Sequence, residues 1–198
     1  MFNKKLNRLL GGTATSSVSN LIIVVLMTIS TAACAVNPFA TTESREIEPF
    51  TKIVVGGLVN VKIKQGEQEG IEISAFGIAM QDIVTSVDHD TLTVMTKGNH
   101  RGESISIEVT YRDLQAVKTS GAATIKTEGP IMTKLFKVEI SDAGDASLEL
   151  DVAELTIDMR GNGNLTLSGR SGVQNIRSFG GGGRLNNSML EVGVVKSN

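Results

Sequence analysis

The chain has 198 residues, 40% hydrophobic and 20% charged, with a formal net charge of −2. That balance describes a globular protein and excludes disorder, whose signature is low hydrophobicity with high net charge. One cysteine, two histidines, no Trp and one Tyr exclude a disulfide scaffold and a multi-cysteine zinc site, and leave no aromatic platform or basic field for nucleic acid.

Lys4, Lys5 and Arg8 are the only charges before Glu43. The apolar run 21–27 follows, then small residues lead to Thr31-Ala32-Ala33-Cys34. A positive start, a short apolar centre and a small-residue exit are the three parts of a secretory signal peptide, predicted over 1–33. The run falls short of the roughly 20 apolar residues of a membrane span. Cys34 after Ala-Ala resembles a bacterial lipobox, in which the cysteine becomes the lipidated first residue. Thr31 stands where that motif usually has Leu, and cleavage after Ala33 or Ala35 remains the alternative. Ala35, not Asp, follows Cys34, which by resemblance to Gram-negative sorting implies the outer membrane; a periplasmic or secreted protein is the other expectation. Loss of the leader removes three of the 19 basic residues and none of the 21 acidic ones, leaving a net of −5. Residues 34–49, with Pro38 and Pro49 among Thr, Ser and Glu, read as lipid anchor and tether.

From Thr51 onward the apolar residues alternate with period two, as in half-buried strands. Val59, Val61 and Ile63 open the pattern; Ile71 and Ile73, Leu92 and Val94, and Ile105, Ile107 and Val109 continue it. Gly, Asp and Asn clusters separate the runs, and only 78–86 has room for a helical turn. The fold class is all-β. Residues 121–125 (GAATI), 142–146 (DAGDA), 161–165 (GNGNL) and 181–185 (GGGRL) share one frame, in steps of 21, 19 and 20. Gly57 to Val61 forms an earlier copy. A constant step near 20, with small residues at a fixed place, predicts a single-domain β-solenoid over 50–198, resembling a parallel β-helix, with N-terminal strands and a hairpin leading into the stack. A two-sheet sandwich is the alternative. Gly57, Gly121, Asp142, Gly144, Gly161, Gly163, Gly181 and Gly183 are the expected corner residues, because stacked corners demand positive φ and close backbone approach.

These features resemble the family described as "putative auto-transporter adhesin, head GIN domain". The residues that carry the likeness are FTKIVVGGLVNVKIKQG at 50–66, SVDHDTLTV at 86–94, and the corners TSGAATI (119–125), ISDAGDASL (140–148), MRGNGNLTLSG (159–169) and SFGGGGRL (178–185). The resemblance implies a solenoid-like, surface-exposed, adhesive domain and supplies no catalytic residue. Asp142 departs from the corner glycine, a place where Asp tolerates a left-handed backbone better than most residues.

Asp142, Asp145, Asp151 and Asp158 invite a calcium site, but the period is 20 and the other corners lack aspartate, so a solvated acidic face is expected and no metal. Asp88-His89-Asp90 reads as a hairpin turn rather than an acid–base pair; His100 has no partner in sequence. Gly180 to Gly183 before Arg184 lack the helix that a phosphate loop needs. No cofactor and no nucleic acid are expected. A polysaccharide-cleaving β-helix enzyme would need clustered carboxylates and sugar-stacking aromatics, and beyond the leader the chain has only Phe39, Phe50, Phe76, Tyr111, Phe136 and Phe179. The expected function is a non-enzymatic cell-envelope binding or adhesion module, held to the membrane by lipid on Cys34 and facing an unknown envelope or surface ligand. The alternative is a periplasmic accessory or stress-linked protein with a protein partner. The last run, 189–195, reads as an apolar edge that a fold-back of N-terminal residues or a second copy would cover, so a weak homodimer through the C-terminal coil is expected.

Overall fold

Period-two alternation, and not helical spacing, governs the structure. The computed structural model describes residues 40–98, 104–178 and 181–197, all within one unit, Val36–Asn198; the leader 1–33, Cys34 and His100 lie outside them. Among the described residues thirteen strands form one sheet. They are β1 (Ala40–Arg45), β2 (Lys52–Val55), β3 (Asn60–Gln65), β4 (Gly70–Phe76), β5 (Ile83–Asp88), β6 (Thr91–Thr96) and β7 (Ser104–Tyr111), then β8 (Ala116–Thr119), β9 (Thr124–Glu128), β10 (Ile131–Asp142), β11 (Asp145–Gly161), β12 (Asn164–Ser178) and β13 (Arg184–Ser197). The one helical element among the described residues is a 3-10 turn, Met80–Asp82, within the stretch expected to hold a turn.

Antiparallel pairing among the described residues is confined to β1, β4 and β7 and to β5 with β6. β4 lies between β1 and β7, and β5 and β6 form a hairpin whose turn residues His89 and Asp90 have φ of 45° and 61°. Consecutive positive φ values suit the right-handed twist of the flanking strands. Elsewhere pairing is parallel. β2 pairs β8, β8 pairs β10, and β10, β11, β12 and β13 follow in turn, while β3 pairs β9 and β9 pairs β11. Partner residues stand 21 apart at Val117↔Val138, 19 apart at Val138↔Ile157 and Ile157↔Ile176, and 20 apart at Leu165↔Leu185. A shift opposite Thr166 and Ser168 inserts one extra residue into β13.

In-register stacking turns alternation into apolar columns. Ile53, Val117, Val138 and Ile157 form one; Val61, Ile125, Ala146 and Leu165 form another. All eight are buried, and both columns belong to the same core cluster. Each large aliphatic side chain so buried contributes about 2 kcal/mol. The columns explain why no single strand needs a strongly hydrophobic sequence: each is half of a wall that its neighbours complete.

Within the stretch expected to be a tether, Ala40–Arg45 instead pairs β4 over six residues. Arg45 pins it, donating to the carbonyls of Ile83 (2.8 Å) and Met80 (3.1 Å) and to Thr85 Oγ1 (2.9 Å). Backbone pairing and one guanidinium hold this strand, so it carries no apolar rhythm to betray it.

Candidate functional site

The corner residues come together in one stack. Gly57, Gly121, Asp142, Gly161 and Gly181 all have positive φ, from 57° at Asp142 to 128° at Gly161. Each step is hydrogen-bonded: Ala122 N–H to Gly57 O (3.0 Å), Ala143 N–H to Gly121 O (2.9 Å), Asn162 N–H to Asp142 O (2.6 Å), Gly183 N–H to Gly161 O (3.0 Å). Gly144, Gly163 and Gly183 follow two residues on and are small for another reason. A Cβ on Gly163 would overlap the carbonyl oxygen of Gly144, and one on Gly183 would lie 2.8 Å from that of Gly163. Polar side chains staple the turns: Gly121 N–H donates to the Asp142 carboxylate (3.2 Å), Asn164 N–H to Asp145 (2.7 Å), and Gly182 N–H to Asn162 Oδ1 (2.7 Å).

A second line of close approach escaped the sequence reading. A Cβ on Gly172 would lie 2.7 Å from the Ala153 carbonyl oxygen, and one on Gly193 2.6 Å from that of Gly172. The signal was present, Ala153, Gly172 and Gly193 in steps of 19 and 21, but alanine opens it and no local Gly-x-Gly marks it.

The four aspartates have separate duties. Asp142 and Asp145 cap backbone amides, Asp151 pairs with Arg170 (2.6 Å), and Asp158 is gripped by Arg160 (3.0 and 3.1 Å). No three potential metal ligands converge among the described residues. His89 contacts Asp88 at 2.8 Å with both side chains almost fully exposed at the hairpin tip, where no cleft would exclude water. Burial pushes the Tyr111 phenol up to about 12, so it stays neutral.

The outward faces hold the charge and the hydroxyls. On the β3–β9–β11–β12–β13 face, register aligns Lys62, Lys126, Ser147, Thr166 and Asn186 in one column. Lys62 pairs with Glu128, and Lys64 with Glu108; the Lys62 ammonium holds the Glu128 carboxyl below the usual range. On the β2–β8–β10–β11–β12–β13 face the aligned column is Lys52, Ala116, Lys137, Thr156, Asn175 and Lys196. The Lys137 ammonium, with that of Lys118, holds the Glu139 carboxyl below its ordinary value.

The family profile described as "Putative auto-transporter adhesin, head GIN domain" matches residues 49–198. The chain belongs to this family. Among solved structures it is similar to a putative adhesin from Bacteroides fragilis, with 19% identity, 80% of this chain and 75% of that chain covered, and a TM-score of 0.72. A putative lipid binding protein from Parabacteroides distasonis shares 13% identity over 82% and 79% of the two chains, with a TM-score of 0.62. A putative adhesin from Parabacteroides merdae shares 20% identity over 81% and 78%, with a TM-score of 0.61. Comparison with curated proteins gives no match. At these identities the likeness to solved structures shows the fold; the family rests on the profile match.

Proposed function

We propose that this chain is a non-enzymatic, envelope-exposed binding module of the adhesion kind, carried on lipid at Cys34 and built as a β-solenoid of roughly 20-residue coils. One observation carries the reading: in-register parallel stacking repeats outward positions up the sheet, so Lys62, Lys126, Ser147, Thr166 and Asn186 form an aligned polar column. Such a column offers a polar side chain at each strand spacing, about 4.8 Å, which suits a repetitive ligand rather than one small substrate. The 19- to 21-residue offsets support the coil, and membership of the adhesin family supports the exposed role.

Intact cells expressing the chain test the reading. An antibody against the domain should label them from outside, and they should adhere to a glycan- or matrix-coated surface more than cells expressing Cys34→Ser. A chain labelled only after the outer membrane is opened would instead fit the periplasmic accessory role.

A further inference from the structure

One outward face carries a groove lined by four basic side chains, Lys52, Lys137, Arg177 and Lys196, and one carboxylate, Glu154. Two hollows, of about 350 and 290 Å³, share Glu154 and Thr156 and so lie side by side along the stack. Along it runs the single column Lys52, Ala116, Lys137, Thr156, Asn175 and Lys196. From β2 to β13 it crosses five strand spacings, about 24 Å. Leu135, 63% exposed, forms an apolar wall.

The neighbouring column is Lys118, Glu139, Asp158 and Arg177. Its two carboxylates are already engaged, Glu139 by Lys118 and Lys137, and Asp158 by Arg160. Among the described residues Lys52, Arg177 and Lys196 have no carboxylate in contact, and all three are exposed. With Glu154 of the groove lining counted, five basic side chains stand against three acidic ones, in a chain whose net charge is −2. Positive charge gathered on one face of an acidic protein steers an anion to that face.

We infer that this groove binds a linear acidic polysaccharide laid along the stack. The cations lie in a line and so fit a chain of spaced carboxylates or sulfates better than a broad lipid surface. Thr156 supplies a hydroxyl; Asn175, whose Nδ2 donates to Glu154 (2.8 Å), leaves its carbonyl oxygen for a sugar hydroxyl; and Leu135 offers an apolar flank to ring C–H faces. Phe136, the one aromatic residue lining the groove, is buried, so no platform for stacking bases is presented. The inference rests on the binding-module reading and names its ligand class.

The test is binding of the full chain to polygalacturonate, with neutral dextran, single-stranded DNA and phosphatidylglycerol vesicles as comparators. Polygalacturonate should bind, dextran should not, and affinity should fall with added salt. Lys52→Glu, Arg177→Glu and Lys196→Glu should each weaken binding about threefold, and the triple variant should abolish it. Arg184→Glu, at the start of β13 and outside the groove lining, should leave it unchanged. Circular dichroism confirms that these exposed variants fold. No binding, equal binding by the triple variant, equal loss in Arg184→Glu, or binding to DNA or vesicles as tight as to the glycan would each overturn the inference. Failure of the parent reading looks different: a chain inaccessible from outside the cell would still bind polygalacturonate.

Discussion

Gly163 sits on Gly144 so closely that a methyl group on the first would overlap the carbonyl oxygen of the second. Backbone approach, rather than backbone conformation, therefore selects glycine here, since neither residue has positive φ. Gly163→Ala should cost about 3 kcal/mol through overpacking. Gly70→Ala, where an added Cβ meets nothing within 4 Å and φ is not positive, should be neutral or stabilising by up to about 1 kcal/mol. Denaturant melts of the pair check this; equal destabilisation would contradict the stacked corner.

At Gly161 both constraints act, with φ of 128° and the Asp142 backbone beneath it. Gly161→Val should lose more than about 2 kcal/mol. Thr166→Val, at an outward and half-buried strand position, should stay within about 0.5 kcal/mol. The comparison is read from urea midpoints at constant m-value.

Asp142 combines a left-handed backbone with a carboxylate that accepts from Gly121 N–H. Asp142→Ala loses both advantages and should cost about 1–2 kcal/mol. Asp142→Asn keeps both and should remain within about 0.5 kcal/mol of the native chain. Thermal melts separate the two variants.

Much of this was legible in the sequence, for reasons these residues show. Inward positions such as Val138, Ile140 and Ile157 alternate strictly, and the corner repeats step by 19 to 21 because each corner lies on the one before. The strand Ala40–Arg45 was hidden because backbone pairing and the Arg45 guanidinium hold it. Ala153, Gly172 and Gly193 were hidden because a small residue in a strand is ambiguous until its neighbour in the adjacent strand is known. The groove was invisible for the same reason: Lys52, Lys137 and Lys196 are far apart in sequence, and only parallel register sets them in one column.

Tyr111 gives a pH signature. Its folded-state value is raised from 10.0 to about 12 by burial, so the neutral phenol is favoured in the folded protein. Below pH 10 both states keep the proton and stability is unaffected. Between about 10 and 12 the unfolded chain ionises first, and stability falls. Tyr111→Phe should remove this phenol's share of the alkaline fall; an unchanged slope in pH-dependent melts would refute the assignment.

Cys34 carries the lipid proposal. Labelling with a fatty-acid analogue should mark the native chain and not Cys34→Ser. Equal labelling of both, or of neither, would sink it.

The edge of β13 exposes Met189, Val194 and Val195 by 64%, 52% and 56%, and among the described strands it pairs only with β12. Apolar edges with free backbone groups favour further pairing. Sedimentation of the chain should show reversible self-association at a protein concentration of about 100 μM, weakened by Val194→Lys; a strict monomer there would exclude it.

The stacked register is the central claim, and cysteine cross-linking in a Cys34→Ser background tests it most directly. Thr156 and Asn175 are neighbours in one column, as are Asn175 and Lys196. Neighbours at about 4.8 Å lie within disulfide reach, whereas two steps, about 9.6 Å, do not. Mild oxidation should therefore cross-link Thr156→Cys with Asn175→Cys, and Asn175→Cys with Lys196→Cys, within one molecule, but not Thr156→Cys with Lys196→Cys. Failure of both neighbouring pairs, or cross-linking of the distant pair, would contradict the account.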